Sequence, residues 1–274
     1  MYHNLRKSFL TLLLLLFVAS VLLAADKAAK LSFDEMVSKY FDALGTREAR
    51  TTAKSRVAQG TVQFNTLVTG NMHLDGKAIY LSSGPKLKCV FQFTSPQYPG
   101  EQFTFDGQDV GVAKTDQQAR SMLGDFLINE PEILQEGLWG GELSTAWPLL
   151  DTKASGAKLK MEGLKKLGGR RLYVLDYTPK RRNNGGELEI SIGFEPETFR
   201  HVLTEYRLSA APFDSEQSTG ISTVVTTVDE QFSGFHSVDG LTLPTQWEIH
   251  IHKDPGVSRA FAWMVVFTSI KDNL

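Results

Sequence analysis

Residues 101–114 read EQFTFDGQDVGVAK, two short runs separated by Asp106-Gly107. The first run, Glu101–Phe105, alternates polar and apolar side chains, and the second run is Asp109–Lys114. An Asp-Gly pair favours the tight turn whose twist matches that of two paired strands. The stretch therefore predicts a β-hairpin between neighbouring strands.

Similar turn signals recur along the chain and predict about a dozen strands in an up-and-down antiparallel meander. Further turns are predicted at Asp75-Gly76 (between Leu67–Leu74 and Lys77–Ser82), Gly168-Gly169 (between Leu159–Leu164 and Arg170–Tyr177), Asn184-Gly185 (before Leu188–Phe194) and Glu195–Thr198 (before Phe199–Leu208). The last three strands are predicted at Ser222–Phe235, Leu241–His252 and Arg259–Ile270. The absence of a strand–helix–strand rhythm argues against a parallel nucleotide-binding sheet.

A helix is predicted ahead of the sheet. Ser32 and Glu35 have the spacing of a capping box, apolar residues then follow helical periodicity, and Gly45 favours a helix end. A short helical stretch, Arg47–Lys54, leads into the first strand. Because one face of the first helix is aromatic and apolar, we expect it to cover the sheet.

The sheet pattern is interrupted between Asp116 and Leu150. Gln117–Leu127 and Glu132–Leu138 have helical patterns, and Glu142–Leu150 reads as a further short helical turn. This predicts a set of short amphipathic helices inserted into the sheet. Two interpretations stay open: a plug that fills one end of the sheet, or a lid over it.

The N-terminus has the layout of a secretory signal peptide. Arg6 and Lys7 precede a nearly unbroken apolar run, Phe9–Leu23, and Ala24-Ala25 then supply small residues. We expect 1–25 to be a signal peptide, 26–274 to form one domain, and the mature protein to be periplasmic. Because the preferred small residue before the cleavage site is replaced by leucine, an uncleaved N-terminal membrane anchor is the alternative.

Composition excludes several classes of function. The net charge is −2, so no overall field draws the chain to nucleic acid. Cys89 is the only cysteine, which precludes an intrachain disulfide. Neither a nucleophile elbow nor a paired-carboxylate signature is present, and we expect no enzymatic activity and no cofactor.

Both faces of the last predicted strand avoid water. In Ala260–Phe267 aromatic and aliphatic residues alternate with further apolar residues, whereas a strand with one wet face would alternate cleanly with polar ones. A curled sheet with an aromatic inner face leaves an apolar hollow unless side chains fill it. The candidate ligand-binding residues are Phe91, Phe93, Phe103, Phe105, Trp263 and Val265 on the wall, with Trp139 and Trp147 on the insert.

A metal site is the weaker interpretation of the strand 241–252. Glu248, His250 and His252 lie on one face at a spacing that can chelate zinc, but the sequence does not fix a further ligand. A solvated strand face explains the three residues better. We therefore expect no metal.

Several short segments resemble the bacterial outer-membrane lipoprotein carrier (LolA/LolB-like) proteins. They are Tyr40–Gly45 with Lys54-Ser55-Arg56 and Gly60-Thr61-Val62, Gly168–Leu175, Phe194–Arg200, and Val238–Thr245. The resemblance implies an incomplete antiparallel β-barrel closed by helices, with an apolar cavity for acyl chains. Arg56 lies nearest the position of the family's arginine, although a structural role at a strand edge suits it equally. The insert is longer than in the plain carrier.

Taken together, these patterns predict a mainly β protein with helices (α+β) that binds a lipid, a lipoprotein acyl chain or another hydrophobic ligand. An envelope membrane protein is an additional expected partner. The first alternative is a structural or interaction module of the cell envelope without a cavity. The second is a metal-dependent hydrolase that uses Glu248, His250 and His252.

Overall fold

The computed structural model describes residues 31–67, 72–114, 120–150, 152, 156, 158–180, 187–210, 224–254 and 260–273. The predicted signal peptide and the Asn184-Gly185 turn lie outside these residues. Within them, no helix is both long and apolar enough to span a membrane.

Twelve strands form one antiparallel sheet. They are β1 (Ser55–Thr66), β2 (His73–Ser83), β3 (Lys86–Phe93), β4 (Gly100–Phe105), β5 (Val110–Lys114), β6 (Lys158–Leu167), β7 (Arg170–Thr178), β8 (Glu187–Phe194), β9 (His201–Ala210), β10 (Val224–Val238), β11 (Leu241–Asp254) and β12 (Ala260–Asp272). The spatial order is β5-β4-β3-β2-β1-β12-β11-β10-β9-β8-β7-β6, so the first and last strands of the chain pair in the middle. The sheet has β5 and β6 as its edges. The predicted open antiparallel architecture is confirmed.

One predicted turn is wrong. Asp75-Gly76 lies inside β2, where Gly76 pairs with Val62 on one side and Phe93 on the other. A Cβ atom on Gly76 would lie 2.3 Å from the carbonyl oxygen of Gln92. This glycine therefore permits close packing of β2 and β3, and β2 already begins at His73.

Helix α1 (Phe33–Leu44) begins with the predicted capping box: the Ser32 hydroxyl accepts from the Glu35 N–H, and the Glu35 carboxylate accepts from the Ser32 N–H. Its buried face includes Met36 and Tyr40 and packs on the inner side of the sheet. A single β-bridge between Gly45 and Leu241 ties its end to β11. Helix α2 (Arg47–Thr52) follows and leads into β1.

The predicted insert is helical, but its helices are shorter than predicted. It contains α3 (Met122–Asn129), α4 (Glu132–Gln135) and a 3-10 turn at Gly141–Leu143. The insert connects β5 to β6, the two edges of the sheet, and its apolar side chains belong to the main core. It thus crosses the inner side of the sheet from one edge to the other.

Candidate functional site

The insert packs against the inner face of the sheet through two tryptophans, Trp139 and Trp147. The Trp139 ring lies 5.3 Å from the Trp247 ring and 6.2 Å from the Phe103 ring, measured between centroids. The Trp147 ring stacks on His201 at 4.8 Å. All of these side chains are buried. Of the two interpretations of the insert, its buried position against the sheet supports the plug.

Hydrogen bonds from the sheet hold the backbone of this plug. The Tyr80 hydroxyl donates to the carbonyl oxygen of Trp139 at 2.6 Å, and the Gly140 N–H donates to the Glu230 carboxylate at 2.8 Å. Gly140 has a φ of +84°, and a Cβ atom there would lie within 3 Å of the Tyr80 ring. The plug therefore requires glycine at the point where its backbone approaches the sheet most closely.

Glu230, like Tyr80, has no solvent exposure. Its carboxyl also accepts a hydrogen bond of 2.7 Å from the Tyr206 hydroxyl. Burial raises the pKa of Glu230 to about 8, against the hydrogen bonds from Tyr206 and Gly140, which lower it. The raised pKa favours the neutral acid at pH 7, and the carboxyl accepts hydrogen bonds from both β9 and the plug.

A second anchor lies at Glu142. Its carboxylate is 2.9 Å from His201 Nδ1, and its backbone carbonyl accepts from the Arg56 guanidinium. Arg56 also forms a two-pronged ion pair with Asp272, at 2.7 and 2.9 Å. Arg56 is buried and joins three elements, so the contacts favour its structural role.

A third anchor secures the start of α3. Glu101 accepts from the Ser121 N–H at 2.7 Å and from its hydroxyl, and Ser121 Oγ in turn accepts from the Gly124 N–H at 3.0 Å. The Tyr98 hydroxyl donates to the same carboxylate at 3.2 Å. Ser121 is thus both the cap of the helix and its link to β4.

An open apolar cavity lies beside this third anchor. Its volume is about 210 Å³, and its wall is almost entirely apolar. It is lined by Phe64, Thr66, Met72, Tyr98, Ser121, Met122, Phe261 and Trp263. The cavity therefore lies between one end of the sheet and the first turn of the insert.

The eight candidate residues from the sequence fall in three places. Trp263 lines the apolar cavity. Phe105 lines a larger, more polar cleft of about 350 Å³ near Tyr177 and Lys180, where the β7 end meets the insert. The other six lie in the core: Phe91, Phe93, Phe103, Trp139, Trp147 and Val265. A ligand-binding role for these eight stays a prediction.

Sequence reasoning missed Phe64, Tyr98, Met122 and Phe261 as cavity residues. Phe64 stacks on Phe261 at 5.8 Å and contacts Tyr98 at 4.8 Å. The predicted alternation did place Phe261 on the same strand face as Trp263. The helix start at Met122 gave no such signal, because its position against the sheet depends on the Glu101–Ser121 contact.

The predicted chelating set does not assemble into a metal centre. His250 Nδ1 lies 3.2 Å from Asp229, and His250 Nε2 lies 3.9 Å from Glu248. Among the described residues, no group of three histidine, cysteine or acidic side chains is arranged to hold a metal ion. Cys89 is buried, and burial raises the pKa of its thiol, which keeps it protonated.

The fold is similar to that of several solved structures. A LolA superfamily protein from Nitrosomonas europaea matches with 14% identity and a TM-score of 0.45, over 89% of this chain and 94% of that chain. An outer membrane lipoprotein-sorting protein domain from Vibrio parahaemolyticus matches with 11% identity and a TM-score of 0.42, over 83% and 89%. A DUF1329 family protein from Desulfovibrio piger matches with 11% identity and a TM-score of 0.46, over 88% and 93%.

The first of these structures is named for the LolA superfamily, and the second for outer membrane lipoprotein sorting. At such identities the likeness concerns the fold, not the function. No protein-family model matches the sequence. No curated protein matches it significantly either.

Proposed function

We propose that this chain is an exported, non-catalytic binding protein for a hydrophobic ligand, such as a lipid or a lipoprotein acyl chain. The observation that supports the proposal is the open apolar cavity between Phe64, Met122 and Trp263. Neither acid–base chemistry nor a metal is needed for this role, because burial of apolar surface drives such binding.

The cavity size limits what can enter while the plug is in place. Ligand pockets commonly measure roughly 300–1,000 Å³, and this cavity of about 210 Å³ is smaller. It accommodates one end of an acyl chain, with about 0.8 kcal/mol gained for each methylene removed from water. A longer part of the ligand requires α3 to move away from Glu101.

The direct test uses a fatty acid whose bromine atoms quench nearby tryptophan fluorescence. Titration with 9,10-dibromostearic acid should quench the parent protein, because Trp263 lines the cavity. The variant Trp263→Phe should keep affinity for unlabelled palmitate but lose most of the quenching, since Trp139 and Trp147 lie in the packed interior.

Blocking the cavity provides a second readout. Met122→Trp should lower palmitate affinity at least tenfold, measured by equilibrium dialysis with radiolabelled palmitate. Met264→Trp is the matched control, because Met264 lies on the outer face of the strand that carries Trp263 and is 39% exposed. Equal affinity in the two variants, or no palmitate binding by the parent, would contradict the proposal.

One observation favours a second candidate, an envelope interaction module without a ligand. The middle of the interior is occupied by the plug, with Trp139, Trp147 and Trp247 all buried. A protein with no ligand needs no open cavity, so it would show neither quenching nor a co-purifying lipid in native mass spectrometry.

A further inference from the structure

The outer face of the sheet carries an apolar patch around its middle strands. The register of β1, β2 and β3 places Val57 beside Leu81 and Ile79 beside Val90. These four side chains alternate with the buried residues of the inner face, and Ile79 is 37% exposed. Most outward positions of a sheet with one wet face are polar, so four adjacent apolar ones form a distinct surface.

Three lysines surround this patch. Lys271 pairs with Val57, Lys88 pairs with Leu81, and Lys77 occupies an outward position further along β2. All three are exposed, and none forms an ion pair within the part of the chain that the structure describes. We call the seven residues the lysine-rimmed patch: Val57, Lys77, Ile79, Leu81, Lys88, Val90 and Lys271.

A shallow depression of about 250 Å³ lies at one end of the patch, between Val57, Leu81 and Lys88. Lys86 lines it too. The backbone N–H groups of Asp109 and Gln108 lower the pKa of Asp106, and the Lys86 charge adds to this effect, so we do not count Lys86 among the patch cations.

Uncharged residues lie in register with the patch residues on the neighbouring strands, in the same cross-strand rows. They are Gln59, Thr61, Gln92, Gln102, Thr104 and Ser269. The carboxylate that follows Lys77 on the outward side of β2, Asp75, accepts a hydrogen bond from Gln63. The rows of the patch thus combine positive charge with apolar surface and contain no carboxylate.

A row that contains three carboxylates crosses the opposite half of the sheet. The register aligns Asp176, Ser191, Glu205 and Asp229 across β7 to β10. Burial and the charge of Asp229 raise the pKa of Glu205. We call these three carboxylates, Asp176, Glu205 and Asp229, the acidic row.

We infer that the lysine-rimmed patch docks the protein on the surface of an anionic phospholipid bilayer. Lysine ammonium groups bind lipid phosphates, while their stems and the apolar side chains between them enter the interfacial region. The chain as a whole has a net charge of −2, so this attraction must be local. This surface lies on the side of the sheet opposite the plug, and the inference goes beyond the proposed function.

A second copy of the chain is the less favoured occupant. Its acidic row already has internal partners, since Asp229 lies 3.2 Å from His250 and Asp176 accepts from Ser191. The row also offers no apolar surface that would cover Ile79 and Val90. An anionic bilayer supplies both negative charge and an apolar layer beneath it.

The test is flotation of the full-length mature protein with vesicles of phosphatidylcholine alone or with 30 mol% phosphatidylglycerol. The parent should bind only the anionic vesicles, and added salt should weaken the binding. Each lysine near an anionic surface is expected to contribute about fivefold to partitioning. The triple variant Lys77→Glu, Lys88→Glu, Lys271→Glu should therefore lose about a hundredfold or more.

A control variant changes the net charge by the same amount elsewhere. Lys158→Glu, Lys166→Glu and Arg171→Glu alter exposed residues on β6 and β7, and this triple variant should bind anionic vesicles like the parent. The double variant Ile79→Ser, Leu81→Ser should bind anionic vesicles more weakly than the parent but with the same salt dependence. If a triple variant unfolds, the three single variants replace it.

Several outcomes would overturn the inference. One is an equal loss in the patch and control triples, and another is no binding of anionic vesicles by the parent. A third is a dimer, seen by sedimentation, that the patch variant dissociates. The variant Met122→Trp separates the two proposals, because it should bind vesicles normally even if palmitate binding is lost.

Discussion

The interior of the sheet has two regions that differ in how they are filled. In the middle, Trp139 and Trp147 of the insert are buried, and Glu230 anchors the plug backbone. At one end, beside Ser121 and Trp263, the same insert leaves an apolar cavity open. The difference shows that one segment both completes a core and borders a binding site.

The physical reason lies in how each region satisfies its polar groups. In the central region the Tyr80 hydroxyl donates to the Trp139 carbonyl, the Gly140 N–H donates to Glu230, and the Trp147 indole donates to Tyr40 of α1. The cavity end depends on Glu101 and Ser121. We therefore expect the central region to determine global stability and the cavity end to open more readily.

The largest expected effect comes from emptying the centre. Trp139→Ala removes a fully buried ring that contacts Phe103 and Trp247, so it should lower the free energy of unfolding by about 3–5 kcal/mol. Urea unfolding followed by circular dichroism measures this. A loss below about 1 kcal/mol would show that the centre is not packed as described.

The next effect is a pH dependence from Glu230. Its folded-state pKa of about 8 lies above its unfolded value, so the folded state binds the proton more tightly. This stabilisation is fully present below about pH 4.5 and is lost as the pH rises to about 8, by up to about 1.4 kcal/mol per pH unit.

Glu230→Gln imitates the neutral acid: its carbonyl accepts from the Gly140 N–H, and its amide donates to the Tyr206 oxygen, which reverses the hydrogen bond of the parent. The variant should therefore have a flatter stability profile between pH 5 and pH 8, measured by urea unfolding at each pH. Glu189→Gln, at an exposed position of β8, is the control. Parallel stability profiles for the parent and Glu230→Gln would show that Glu230 does not cause the pH dependence.

A matched pair of enlargements compares the regions directly. Phe103→Trp adds volume where the ring already contacts Phe91 and Trp139, so we expect a loss of about 1–3 kcal/mol. Phe261→Trp adds the same volume beside the open cavity and should cost less than about 0.5 kcal/mol while weakening palmitate binding. Thermal unfolding of both variants measures the difference, and equal losses would erase the distinction between the regions.

Much of the fold could be predicted from the sequence because its signals are local. The Ser32–Glu35 capping box, the Asp106-Gly107 turn and the apolar strand 260–267 each specify their own element. The turn predicted at Asp75-Gly76 was wrong because an Asp-Gly pair can also lie within a strand where neighbouring backbones approach closely. Its role depends on β3, which the local pattern does not include.

The site was less predictable because it depends on contacts between distant segments. The aromatic residues on β3, β4 and β12 were identified as inward-facing, but their pattern does not say which of them the insert covers. Glu230 was not identified, although a carboxylate flanked by apolar inward positions such as Val228 and Phe232 is a recognisable anomaly in a strand. Its partner, Gly140, lies 90 residues away.

The smallest and most local effect is expected at the cavity end. Ser121→Ala removes the cap of α3 and one partner of the buried Glu101, and should cost about 1 kcal/mol. Hydrogen exchange should accelerate in α3, from Gly124 onward, while the Gly140 amide in the centre keeps its protection. The conservative variant Ser121→Thr should restore the α3 protection, because its hydroxyl can still cap the helix. Uniform acceleration across the plug would mean that the insert opens as one unit, and the two regions would then be a single cooperative element.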